Sequence, residues 1–157
     1  MTQAKVKQEL EQRIAQAKSG KDVLTALRLG KNDAARFLRF GHARLAAEDF
    51  EGAEAAGRIA TTIAPDTAAG WQLLGVAQAR ARRSSAAIAS FAKVTALAPD
   101  SVASWLHLAE AQLSVLDFKA AAASLEQAIK RDPKASTPEG LRAQMLVVEI
   151  LSAHSGD

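Results

Sequence analysis

The stretches FLRFGHA (37–43), WQLLGVA (71–77) and WLHLAEA (105–111) recur at an interval of 34 residues with no gap between them. In frames beginning at Ala34, Ala68 and Val102, the fourth positions hold Phe37, Trp71 and Trp105, and the seventh hold Phe40, Leu74 and Leu108. A spacing of three places these two side chains on one face of a helix, the face expected to be buried. The eighth position is small (Gly41, Gly75, Ala109), which lets a second helix come close, and the twentieth is always alanine (Ala53, Ala87, Ala121). Pro65, Pro99 and Pro133 occupy position thirty-two. Proline donates no helical hydrogen bond and restrains the residue before it, so each frame ends there. Each frame thus reads as two helices and a stop, and a fixed period of this length marks a stacked repeat array.

Working outward, Phe50 and Phe118 each follow an aspartate and open second helices, whereas the middle frame has Ser84 at that point. The first frame carries Gly57 where the others carry Phe91 and Leu125, which predicts thinner packing there. A stacked array also needs ends that cover its apolar faces. At one end, Thr137-Pro138-Glu139 reads as a helix cap followed by proline in the first turn. Leu141, Met145, Leu146, Val148 and Ile150 then predict an apolar helix that caps the third repeat. At the other end, Val6, Leu10 and Ile14 recur every four residues along one side of a helix broken at Ser19-Gly20. A short helix from about Asp22, with Val23, Leu24 and Leu27, ends at Gly30. The expected organisation is all-α: a helical extension over 1–33, three repeats over 34–67, 68–101 and 102–135, and a capping helix and tail over 136–157.

Composition agrees with that reading. Apolar residues make up 48% and charged residues 24%, a soluble balance, and alanine, the best helix former, dominates the apolar share. The absence of cysteine excludes disulfides, thiol nucleophiles and thiolate metal sites. The polar start MTQAKVKQELEQR lacks the apolar core of a secretory signal. No run reaches the roughly 18 apolar residues of a membrane helix. A cytoplasmic protein with no stable membrane insertion is expected. The formal charge is +3, and the densest basic cluster is Arg80, Arg82 and Arg83. Nucleic-acid binding calls for a basic stripe with exposed aromatics, and here the aromatics are assigned to the core, so no nucleic-acid partner is expected.

No residues for catalysis stand out. His42 and His107 fall at different repeat positions with no acidic partner at ligand spacing, so no metal and no cofactor is expected. Nucleophile-elbow, phosphate-loop and dinucleotide motifs are missing. Carboxylates such as Asp66 and Asp100 sit near helix starts, where they favour the helix dipole.

The three heptapeptides, with IAPD, LAPD and KRDP at the repeat ends, resemble the tetratricopeptide repeat (TPR) family. The resemblance implies three helix-turn-helix units in a right-handed superhelix, with a groove formed by positions two, five, nine, twelve and thirteen of each first helix. Those positions supply the candidate client-binding residues Leu38, His42, Leu45, Gln72, Val76, Ala79, Leu106, Glu110 and Leu113. TPR adaptors for acidic chaperone tails use a clamp of Lys, Asn and Arg. Leu38, His42, Leu73, Ala103 and His107 stand at the clamp positions, so an acidic tail is not the expected client.

The extension, the FEGA stretch (50–53), HLAEAQL (107–113) and the terminal LRAQML (141–146) together resemble the class II chaperones of bacterial type III secretion, which hold hydrophobic translocators. That resemblance implies a chaperone whose groove takes an extended apolar segment of a protein client, and a homodimer through Val6, Leu10 and Ile14. A TPR scaffold or adaptor in a multiprotein assembly is the alternative. Such chaperones are usually acidic, and this chain is basic.

Overall fold

The computed structural model describes residues 29–154 together with Lys5, Gln8 and Gln12. From residue 31 onward the chain forms α1 (Lys31–Ala46), α2 (Phe50–Ile63), α3 (Ala68–Arg80), α4 (Ser84–Leu97), α5 (Val102–Leu113), α6 (Phe118–Arg131) and α7 (Pro138–His154). No strand occurs among the described residues. Each helix packs on its successor, and α1 also touches α3 while α5 touches α7, so the helices form a layered array. The expected helix through Val6, Leu10 and Ile14, and the short one from Asp22, lie outside the described residues.

Local chemistry starts each helix. The carboxylates of Asp49 and Asp117 accept hydrogen bonds from the N–H groups of Gly52 and Ala120, at 2.9 and 3.0 Å. These satisfy donors that the first turn leaves open. Arg83 holds the same position before α4, where a side-chain cap is missing. The turn inside each pair bends through a left-handed residue that is never glycine: Glu48, Arg82 and Leu116, with φ of 58°, 58° and 61°.

The core rests on close approaches. Ala53, Ala87 and Ala121 are all fully buried. A Cβ on Gly75 would lie 2.7 Å from the Phe91 ring, so glycine is what admits that ring between α3 and α4. In the first repeat the arrangement inverts. Gly57 brings the α3 backbone so close that a Cβ there would meet Leu74 at 3.0 Å, and the fully buried Leu73 packs beside Gly41 and Ala56. Gly57 is therefore a contact point rather than the thin spot its small size predicted.

Two polar motifs repeat as well. The indole N–H groups of Trp71 and Trp105 each donate to the carbonyl of the preceding repeat's proline, Pro65 and Pro99, at 2.8 Å. Ser90 donates to Gln78 and Ser124 to Gln112, both at 2.7 Å, tying second helix to first.

Two sequence expectations need correction. The aromatics are not all core: Phe40 is 48% and Phe118 38% exposed, and the two tryptophans are half-buried. Phe40 shares its frame position with the buried Leu74 and Leu108, so the shared repeat position does not guarantee burial. The apolar residues of α7 also divide between two faces. Ala143, Leu146, Val147 and Ile150 pack against Leu106, Ala109, Leu125 and Ala128, while Leu141, Met145 and Val148 face outward.

Asp132 seats α7. Its carboxylate accepts four hydrogen bonds, from the N–H and hydroxyl groups of Ser136 and Thr137, at 2.7 to 2.9 Å. Those bonds hold its carboxyl far below the usual range. Thr137 in turn accepts from the Gly140 N–H and caps the helix.

Candidate peptide-binding groove

The first helices of the three repeats, α1, α3 and α5, lie side by side, and two clefts open along them. The larger, about 460 Å³, sits where the C-terminal ends of α3 and α5 meet the start of α4. Ala79, Ala87, Phe91 and Ala111 supply its apolar lining, and Arg80, Arg82, His107, Glu110 and the hydroxyls of Ser84 and Ser114 complete it. The smaller, about 300 Å³, lies between the starts of α1 and α3, among Ala35, Leu38, Ala60, Ala64 and Gly70.

His107 is held from two sides. Its ring stacks on Phe91 with centroids 5.5 Å apart, and its Nδ1 lies 2.9 Å from the amide nitrogen of Gln72. An amide N–H only donates, so Nδ1 accepts and a neutral ring carries its proton on Nε2. Ser114 donates to the Ala111 carbonyl at 2.6 Å, and its oxygen lies 2.8 Å from the Ser84 hydroxyl across the junction. Glu110 faces Arg142 of α7 at 3.6 Å. Arg80 lies over the Phe50 ring at 5.3 Å. Neither Arg80 nor Arg82 shares an ion pair with a described carboxylate, so the cleft rim is basic.

The sequence-based candidates scatter over this geometry. Leu38 lines the smaller cleft, and Ala79 and Glu110 line the larger. Gln72 bridges to His107, His42 is exposed on α1, and Leu45 is half-buried. Val76 packs against the cluster of Ala87, Phe91, Val94, Leu108 and Ala111, and Leu113 against the terminal cluster. Leu106 falls out of the set, because it is only 5% exposed and sits under α7 within the core. The capping helix covers the position that is open in earlier repeats.

The lining from α4, Ala87 and Phe91, was not anticipated, because the groove pattern counts first helices alone. The pairing of Gly75 with Phe91 at positions eight and twenty-four was the available signal. Among the described residues, no group of three or more His, Asp or Glu side chains is placed to hold a metal ion. No described helix is long and apolar enough to cross a membrane.

Residues 102–135 match the tetratricopeptide repeat family model. No protein of curated function matches the chain in sequence. Solved structures match it in fold. The translocator chaperone SycD of Yersinia enterocolitica type III secretion superposes with a TM-score of 0.68 at 14% identity, covering 80% of this chain and 96% of that one. The Sgt2 TPR domain of Aspergillus fumigatus gives 0.71 at 19% identity, covering 79% and 83%. The TPR2B domain of yeast Sti1, solved in complex with an Hsp70 peptide, gives 0.68 at 23% identity, covering 73% and 92%. The chain thus contains a tetratricopeptide repeat at 102–135, and its array of helices has the tetratricopeptide fold.

Proposed function

We propose that this protein is a cytoplasmic holding chaperone whose groove binds an extended apolar segment of a client, of the kind carried by type III secretion translocators. The observation that carries the reading is the 460 Å³ cleft, open to solvent yet lined by Ala79, Ala87, Phe91 and Ala111. An apolar side chain seated there leaves water, which drives association without directional bonds. The second cleft at Leu38 offers a further seat along the same helices, as an extended segment with spaced apolar residues requires. The missing clamp residues, with Leu38, His42, Leu73, Ala103 and His107 in their places, separate this site from one built for acidic tails. The reading is one of sequestration: a segment that would aggregate, or enter a membrane too early, is covered until release.

Binding at this scale lies between about −8 and −12 kcal/mol, micromolar to nanomolar. The test is pull-down from the native cell followed by calorimetry with the recovered client's apolar segment. A hydrophobic, membrane-active client is expected. Ala79→Glu and Leu38→Glu, each placing a charge in a cleft, are expected to weaken binding at least about 30-fold, roughly 2 kcal/mol, with helicity intact. Unchanged binding in both variants would move the site off the groove. Recovery only of soluble assembly partners would favour the scaffold reading.

A further inference from the structure

The outward face of α7 has no role in the groove, and no residue of α7 lines either cleft. Leu141, Met145 and Val148 are 52%, 49% and 64% exposed. Their spacing of four and then three residues puts them on one stripe, and with Gln144 and Glu149 they border a shallow trough of about 350 Å³. Three large apolar side chains in line on a charged helix form a patch of the kind that marks an interaction site. The helix beneath is firmly placed, with Ala143 and Leu146 buried and Asp132 fixing its start.

We propose that this stripe is a homodimer interface in which α7 pairs with α7 of a second copy, antiparallel about a two-fold axis near Met145. Charge complementarity selects that occupant. Arg142 and Glu149 flank the stripe on the same side, seven residues apart, and within one chain they pair at 3.2 Å. In an antiparallel pair the residue numbers facing each other sum to about twice 145, so Arg142 lies opposite the partner's Glu149 and Leu141 near the partner's Val148. Met145 meets its own copy, and its flexible thioether suits a self-packing contact. A parallel arrangement turns this flank toward the opposite flank of the partner helix, so Arg142 and Glu149 do not meet and the complementarity goes unused. A two-fold interface needs one patch that complements itself, and a stripe with opposite charges at its two ends meets that condition. An anionic lipid surface is disfavoured, because the described charges on this helix are Glu139, Arg142 and Glu149, with no basic cluster. This contact is distinct from the one expected through Val6, Leu10 and Ile14, and it leaves both clefts uncovered.

Sedimentation velocity of the full chain is expected to show a monomer–dimer equilibrium between about 1 and 100 µM, as a small interface implies. Met145→Glu and, independently, Val148→Lys are expected to weaken the dimer at least about tenfold, with helicity followed by circular dichroism. Arg142→Glu and Glu149→Arg are each expected to dimerise poorly alone but to associate when mixed, because every crossing pair is then of opposite charge. A monomer throughout the range would overturn the proposal. So would a dimer untouched by both stripe variants, or one broken only by Leu10→Glu. Binding of the monomer to phosphatidylcholine–phosphatidylserine vesicles through Met145 would assign the stripe to lipid instead.

Discussion

The junction between repeats one and two and the junction between repeats two and three share one backbone frame but fill it in opposite ways. At position twenty-four the first repeat has Gly57 and the second Phe91. At position six of the following repeat stand Leu73 and His107 respectively. Leu73 is fully buried against Gly41 and Ala56, whereas His107 stacks on Phe91, bonds to Gln72 and borders the open cleft. Position twenty-one reverses the polarity: Glu54 lies buried in an ion-pair network at the first junction, and Ile88 joins an apolar cluster at the second. A repeat frame therefore sets where helices go, while correlated choices at three or four positions decide which junction is sealed and which is left open.

The sharpest way to break this contrast is to remove the seal. Leu73→Ala deletes a fully buried side chain that no neighbour is free to replace. A loss of about 2–5 kcal/mol is expected in urea denaturation, the range for such cavities. His107→Ala at the matching position, half-buried at the edge of a cleft, is expected to cost less, about 1 kcal/mol. Equal losses would mean that the two junctions are equivalent after all.

A smaller effect separates two glycines. A Cβ on Gly57 meets the backbone of Leu74, which cannot move aside, whereas one on Gly41 meets chiefly the end of the Leu73 side chain, which can rotate. Both substitutions gain helix propensity, about 1 kcal/mol. Gly57→Ala is therefore expected to be less stable than Gly41→Ala by about 1–2 kcal/mol, measured by thermal unfolding.

These contrasts explain how much was readable beforehand. The period and the helix pairs were legible because proline, glycine and alanine act through local geometry that any copy of the frame repeats. The burial of Leu106 was not, because position five is open or closed according to what stacks next, and only α7 closes it. The clefts were half legible: Leu38, Ala79 and Glu110 follow from the frame, but Phe91 and His107 act as a pair that meets only across the interface. The outward stripe of α7 escaped a reading that counted its apolar residues without dividing them by face.

The smallest effect tests the polar half of the first junction. Burial alone would raise the Glu54 carboxyl. The hydrogen bond from Arg58, the charges of Arg83 and Arg58 and a hydrogen bond from Gln78 outweigh that, holding it below its ordinary 4.5. Arg58 and Arg83 approach its two oxygens at 2.6 Å each. A group whose folded value is lowered lends stability that is complete above its unfolded value and is lost as pH falls through the folded one. The intact protein is thus expected to hold its stability from neutral pH to about 5 and to weaken below that, with Asp132 contributing in the same direction. Glu54→Gln is expected to cost about 1 kcal/mol at pH 7, modest because both arginine ends are half-exposed and screened by water. Its deficit is expected to shrink as pH falls through the lowered folded value, since below it the native carboxyl is protonated as well. The carboxyl of Asp132 is common to both proteins, so the difference between their denaturation curves isolates Glu54. A deficit that stays constant with pH would show that the junction relies on the shape of the side chain and not on its charge.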